Sequence, residues 1–412
     1  MFADILTTVF ERRYRLSPLP RRDGPVEKLT AELIAATSET SGLAAARQIL
    51  RRYGGMDDDA KLAFFRHLAS DLNVDPAGVR SALDAYERAP SGATYRAFQG
   101  ASEPPRQELI RRMNQVPGAT GDLVRMRADL LRLGRGEDAL EALDLDFRHL
   151  LSSWFNRGFL VLRPINWESP ASILEKIIAY EAVHAIDSWD DLRRRLAPPD
   201  RRCFAFFHPA MPDEPLIFVE VALTRGVAKS IQELLSGHRD TLASSEADTA
   251  VFYSISNCQP GLAGISFGNF LIKQVASDLA AELPDLKTFV TLSPIPGLTR
   301  WLDRQGLIWD PDDRKGMQAL AARYLVHAKR DDGRPLDPVA RFHLGNGAVV
   351  HAVHGGADTS ANGLRQSGGA MVNYLYNLAR VAQNHERYAT KKEVVASQPV
   401  KTLAAQGERT AA

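Results

Sequence analysis

Ser293 and His343 are the two side chains in this sequence best suited to moving protons together. Ser293 stands in Leu292-Ser293-Pro294-Ile295-Pro296-Gly297. Pro294 disfavours the α conformation at the residue before it, so a strand ending there cannot flow into a helix. Pro296-Gly297 then turns the chain away, which puts the hydroxyl at the end of a strand, exposed at the sheet edge where α/β sites gather. A turn or N-cap serine is the alternative. No Gly-x-Ser-x-Gly elbow surrounds it, which disfavours a hydrolase nucleophile. His343 lies in Arg341-Phe342-His343-Leu344-Gly345-Asn346-Gly347. Residues 339–344 and 348–353 read as strands flanking Asn346-Gly347, a hairpin signal. Imidazole ionises closest to neutrality and suits proton transfer; a cross-strand surface histidine is the alternative.

A second signal precedes the serine. Gly261, Gly264 and Gly268 fall between an apparent strand over 249–256 and an apparent helix over 269–282. Glycines let the backbone approach an anion, and the free amides of a helix's first turn point at it. No Gly-Lys-Ser/Thr closes the turn, so it is not a P-loop, and its G-x-x-G-x-x-x-G spacing is not the dinucleotide fingerprint. Close packing of a helix on a strand would call for the same glycines. His351 and His354 invite a metal reading, but an i, i+3 pair on a strand faces opposite ways. We expect no metal. His67 lies in an amphipathic helix and reads as a boundary or surface residue. The polar 355–369 segment has a length often found lining sites, and an expected helix over 371–383 carries Asn373, Tyr374 and Tyr376.

Residues 1–136 read as helices. Apolar residues recur at three- and four-residue steps over 27–36, 44–53, 58–72 and 76–88, with acids Asp57, Asp58 and Asp59 at one start and Asp75-Pro76 as N-cap and first helical residue at another. A helix over 139–154 runs into a strand near 159–163. Further strands are expected over 203–209 and 215–224, joined as an antiparallel hairpin, and over 288–292. The expected division is a helical domain over 1–140, an α/β catalytic domain over 141–390 and a loosely ordered polar tail over 391–412.

The chain has 412 residues, too many for one ordinary core, with 51 basic against 50 acidic side chains. That balance lends no support to nucleic-acid binding. The cysteines, Cys203 and Cys258, have no metal-type spacing and suggest a reducing compartment. An acid at Asp4 and the late Arg12-Arg13 do not suit a secretory signal, no long uncharged apolar run suggests a membrane span, and the C-terminus is not a Ser-Lys-Leu tail. The expected location is the cytoplasm.

The ordered motifs resemble one family. Phe252-Tyr253-Ser254-Ile255-Ser256, Gln259-x-Gly261-Leu262-x-Gly264, Phe270-Leu271-Ile272-Lys273, Leu292 to Gly297 and Phe342-His343-Leu344-x-Asn346-Gly347-Ala348-Val349 resemble malonyl-CoA decarboxylases. The resemblance covers most of the chain beyond about residue 120. It implies an all-α helical N-terminal domain followed by an α/β catalytic domain of the GNAT acetyltransferase type. It also implies decarboxylation of malonyl-CoA to acetyl-CoA and CO2 in fatty acid metabolism, without metal or organic cofactor, and a homotetramer assembled through the helical domain. By position, Ser293 and His343 match the family's catalytic pair, and Tyr376 a tyrosine near the active site. Ala263, Gly264, Ile265, Ser266, Phe267, Gly268 and Asn269 match its CoA-binding loop. Ser266 is a departure, since some relatives carry a glutamate there. The missing peroxisomal tail of animal relatives fits a bacterial cytoplasmic protein. A CoA-dependent acyltransferase on the same fold and a non-enzymatic acyl-CoA-binding protein are the alternatives.

Overall fold

The computed structural model describes residues 24–265 and 268–409, which form two compact units. The first holds the described residues up to Val161, together with Phe207–Glu214 and residues 259–265; the second holds Leu162–Phe206, Pro215–Cys258 and residues 268–409. No described helix is long and apolar enough to cross a membrane.

The first unit is helical: α1 (Val26–Ala35), α2 (Glu39–Gly54), α3 (Asp58–Ser70), α4 (Pro76–Arg88), α5 (Gly92–Ser102), α6 (Pro105–Asn114), α7 (Ala119–Leu133) and α8 (Asp138–Trp154). Its starts follow the capping signals, since Asp57 accepts from the Ala60 amide and Asp75 from those of Ala77 and Gly78. Leu33, Ile49, Phe65, Leu109, Leu123 and Phe147 are wholly buried in it. His67 is structural: its ring bonds Thr30 Oγ1 and Asp71 Oδ2, tying α3 to α1.

The second unit is a mixed sheet with helices: β1 (Val161–Ile165), α9 (Ala171–Tyr180), α10 (Trp189–Leu196), β2 (Arg201–Phe207), β3 (Ile217–Thr224), α11 (Ile231–Leu235), β4 (Thr249–Asn257), α12 (Gly268–Glu282), β5 (Thr288–Thr291), β6 (Ser293–Pro294), α13 (Leu298–Arg304), α14 (Arg314–His327), α15 (Pro338–Gly345), β7 (Val349–His354), α16 (Ala361–Ser367), β8 (Met371–Leu375), α17 (Val381–Lys391) and α18 (Gln398–Arg409). The strand order is β1-β2-β3-β4-β5-β8-β6, with β7 also on β8. β2 and β3 form the expected antiparallel pair, whereas β4 and β5 run parallel over Thr249–Phe252 and Thr288–Thr291. Beyond Phe252, β4 continues to Asn257 while the chain after β5 stays in register on β8, where Ser293 pairs with Val372. The parallel pair therefore splays open just ahead of Ser293.

Three expectations are corrected. Residues 338–345, expected as a strand, form the helix α15. Asp337 caps it through the Ala340 amide at 2.7 Å, and Pro338 opens it, the same pairing that starts α4 at Asp75-Pro76. Asn346-Gly347 is accordingly a helix stop rather than a hairpin turn. Gly347 has φ +83°, and a Cβ there would lie 2.0 Å from the Val381 carbonyl oxygen. Residues 371–375, expected as a helix, are the strand β8, buried between β7 on one side and β5 and β6 on the other. A short apolar run buried on both faces has no period to separate strand from helix. Finally, the expected loose tail contains α18. Val400 and Ala404 are wholly buried in it, and a Cβ on Gly407 would lie 2.6 Å from the Ala319 carbonyl oxygen of α14.

Candidate active site

Ser293 and His343, fifty residues apart in sequence, meet. Ser293 Oγ lies 3.2 Å from His343 Nε2. The two-residue strand β6 presents the serine and α15 the histidine, and both are buried, at 6% and 2% exposure. The hydroxyl is thus enclosed rather than exposed at the sheet edge as the sequence suggested. Ser293 Oγ also donates to Thr291 Oγ1 at 2.8 Å. Thr291 and Ser293 are two residues apart along an extended segment, so their side chains share a face.

The other ring nitrogen is engaged as well. His343 Nδ1 is 2.8 Å from the hydroxyl of Tyr376, directly after β8 and 1% exposed. Tyr374, on β8, stacks on the imidazole with 4.4 Å between ring centroids. Enclosed in this way, His343 is held neutral: burial alone pushes its pKa from the ordinary value near 6.5 to about 3. Burial also raises the phenols of Tyr374 and Tyr376 well above their usual range, so both stay protonated.

A cavity of about 250 Å³ opens onto the pair where β4 and β5 splay. Phe252, Tyr253, Ile255 and Asn257 of β4 line it, with Val183, Ser293, Pro294, Pro338, Val339, Phe342 and His343. None of these described lining residues carries a formal charge near neutral pH. A larger cavity, about 310 Å³, is lined by Asp200, Arg201 and Arg239 among others, but those charges are spent on one another and on backbone carbonyls.

The glycine turn has separate reasons for its residues. In the first unit, a Cβ on Gly261 would lie 1.8 Å from the Val124 carbonyl oxygen of α7, so close packing alone requires glycine there. Gly264 has φ +76°, which side chains rarely adopt. Arg127 of α7, 2% exposed, donates to the carbonyls of Gly261 and Ala263 at 2.8 and 2.9 Å and pairs with Asp144 at 2.7 Å. Ile265 follows, Ser266 and Phe267 lie outside the described residues, and Gly268 and Asn269 open α12.

Sequence reasoning missed Thr291, although its i, i+2 spacing to Ser293 was a usable signal. Tyr374 lies on β8 and Tyr376 directly after it, not on the expected helix over 371–383, and it is the strand that brings Tyr374 onto the His343 ring. Arg127 carried no readable signal for the loop, because the Gly261 and Ala263 carbonyls it holds are over 130 residues away.

The chain matches the family described as "Malonyl-CoA decarboxylase N-terminal domain" over residues 72–155 and "Malonyl-CoA decarboxylase C-terminal domain" over 158–313 and 309–412. It is 34% identical over 350 residues to the mitochondrial malonyl-CoA decarboxylase of Anser anser anser, covering 72% of this chain and 69% of that one. The Rattus norvegicus enzyme of the same name is 35% identical over 349 residues, covering 72% and 70%. Among solved structures, malonyl-CoA decarboxylase from Rhodopseudomonas palustris superposes with a TM-score of 0.86 at 48% identity, over 92% of this chain and 98% of that one. The Agrobacterium vitis protein gives 0.87 at 48% identity, over 92% and 99%.

Proposed function

The chain belongs to the malonyl-CoA decarboxylase family, and we propose on that premise that it converts malonyl-CoA to acetyl-CoA and CO2 at the Ser293–His343 pair. The observation that carries the site assignment is the contact of these two side chains at the wall of an apolar cavity whose described lining bears no charge.

The chemistry follows from the thioester. When the bond between C2 and the carboxylate carbon breaks, CO2 leaves and the electron pair passes to the thioester carbonyl as an enolate. A proton then adds to C2, giving acetyl-CoA, and is replaced from solvent. The thioester is the electron sink, so we assign neither a metal nor an organic cofactor. Ser293 Oγ and His343 Nε2 contact the carboxylate and the thioester carbonyl, and His343 supplies the proton to C2. A donor placed at a developing oxyanion, here the Nε2–H of His343, lowers the barrier by about 3–4 kcal/mol. An uncharged pocket favours loss of the carboxylate, because it strips water from the anion without offering a countercharge.

The segment from Ala263 to Asn269 takes the CoA phosphates. Supporting this within the first unit, Arg127 holds the carbonyls of Gly261 and Ala263, and Gly264 takes the left-handed φ of +76° that a tight glycine turn uses. The reading extends to an α/β unit of the GNAT type, a homotetramer joined through the helical unit, a cytoplasmic location and a role in fatty acid metabolism. Two buried thiols, Cys203 and Cys258, fit a reducing compartment. The partly exposed Leu83 and Tyr95, on α4 and α5, give the helical unit apolar surface for self-association, which light scattering would test.

The test is to supply malonyl-CoA with no amine acceptor. Equal release of CO2 and acetyl-CoA supports decarboxylation. Reaction only after an amine is added would make the protein an acyltransferase, and binding without turnover would make it an acyl-CoA-binding protein.

A further inference from the structure

We infer that Thr291 is a positioning residue that keeps the transferable proton of His343 on Nε2, the nitrogen facing Ser293. The inference rests on the decarboxylase reading and goes beyond it.

The hydrogen bonds around the site have a direction. Ser293 has one hydroxyl proton, and it goes to Thr291 Oγ1 at 2.8 Å. Its oxygen therefore meets His343 Nε2 as an acceptor, which requires the proton on that nitrogen. Burial keeps the imidazole neutral, so Nδ1 carries no proton and accepts from the Tyr376 hydroxyl at 2.8 Å. The chain of donors runs Tyr376 to His343 to Ser293 to Thr291.

Thr291 is itself held by the sheet. Val290 pairs with Leu375 and Ser293 with Val372, a continuous antiparallel register, yet the ladder between them is replaced by side chains. The Tyr374 amide donates to Thr291 Oγ1 at 3.1 Å, and Asn373 Nδ2 donates to the Thr291 carbonyl at 2.8 Å. Both keep Thr291 Oγ1 in place beneath Ser293. Without that oxygen, the Ser293 hydroxyl turns to donate to His343 Nε2. The imidazole proton then moves to Nδ1, against Tyr376 and away from the cavity.

Thr291→Val removes the oxygen at nearly constant volume. Its kcat should fall at least about tenfold while KM stays within about twofold, and Thr291→Ser should retain turnover. In a Ser293→Ala background, where no hydroxyl is left to orient, Thr291→Val should have no further effect. A merely structural role would lower activity by the same factor in both backgrounds, and that result, or turnover within about twofold of wild type, overturns the proposal. If Thr291→Val does not fold, the unsubstituted protein decides. In ¹⁵N-histidine-labelled enzyme, with His343 assigned through His343→Gln, Nε2 should carry the proton; a proton on Nδ1 overturns the proposal. Failure of the decarboxylase reading would appear separately, as an absence of CO2 release by the unsubstituted enzyme.

Discussion

The ring of Tyr374 lies nearly parallel to the imidazole of His343, 23° between planes and 4.4 Å between centroids. That stack covers one face of the histidine, while Tyr376 meets it edge-on at 6.0 Å between centroids. An imidazolium there would lose its hydration without gaining a carboxylate partner, so the ring stays neutral.

The first expectation concerns pH. The ¹³C ring signals of His343 should not move between pH 8 and pH 5, whereas an ordinary histidine titrates near 6.5. Stability carries the same sign. The folded-state pKa values of His184 and His343 are lowered to about 4 and about 3, so below pH 6.5 the unfolded chain binds protons first. Stability present above pH 6.5 is therefore lost as the pH falls towards 4 and 3. Burial acts the other way on Glu220 and Asp337, raising their carboxyls to about 8 and about 6, so the histidine contribution is read by difference: His184→Gln should lose less Tm between pH 7 and pH 4 than the unsubstituted protein, and an equal loss would contradict it.

Tyr376→Phe removes the hydroxyl on His343 Nδ1. Leaving a buried ring nitrogen without its partner costs about 1–3 kcal/mol of stability, read as a lower Tm. The imidazole is also freed to change tautomer, so kcat should drop by about tenfold or more with little change in KM. Turnover equal to wild type would remove Tyr376 from the site.

Arg127→Met tests the loop. The substitution strands Asp144 and leaves the carbonyls of Gly261 and Ala263 without their donor. Breaking a buried pair of this kind costs about 3 kcal/mol. Here KM for malonyl-CoA should rise with kcat largely retained, the reverse of the pattern at Tyr376. Gly261→Ala should act in the same direction, because its Cβ would overlap the Val124 carbonyl.

Much of this was legible in the residues, and what was not had physical causes. The capping acids Asp57 and Asp75 and the three- and four-residue apolar steps located α1 to α4, whereas Pro294 does not end the strand at Ser293: β5 stops at Thr291, and Ser293 and Pro294 together form β6 against β8. The same Asp-Pro signal stands at Asp337-Pro338, but the Asn346-Gly347 pair made the run before it look like a strand rather than α15. The error left His343 as a candidate while hiding how it reaches Ser293. Strand β8 escaped because burial on both faces erases alternation, and with it went the stacking of Tyr374. Contacts such as Arg127 to Gly261 depend on long-range folding, and no local spacing encodes them.

The central claim is that Ser293 and His343 act as one unit on malonyl-CoA. Its most direct test is kcat for Ser293→Ala, His343→Ala and the double variant, all confirmed as folded. Each single substitution should lower kcat by about a hundredfold or more, and the double should lose little beyond the worse single, as expected of groups acting together. Near-normal turnover in both single variants would contradict the assignment.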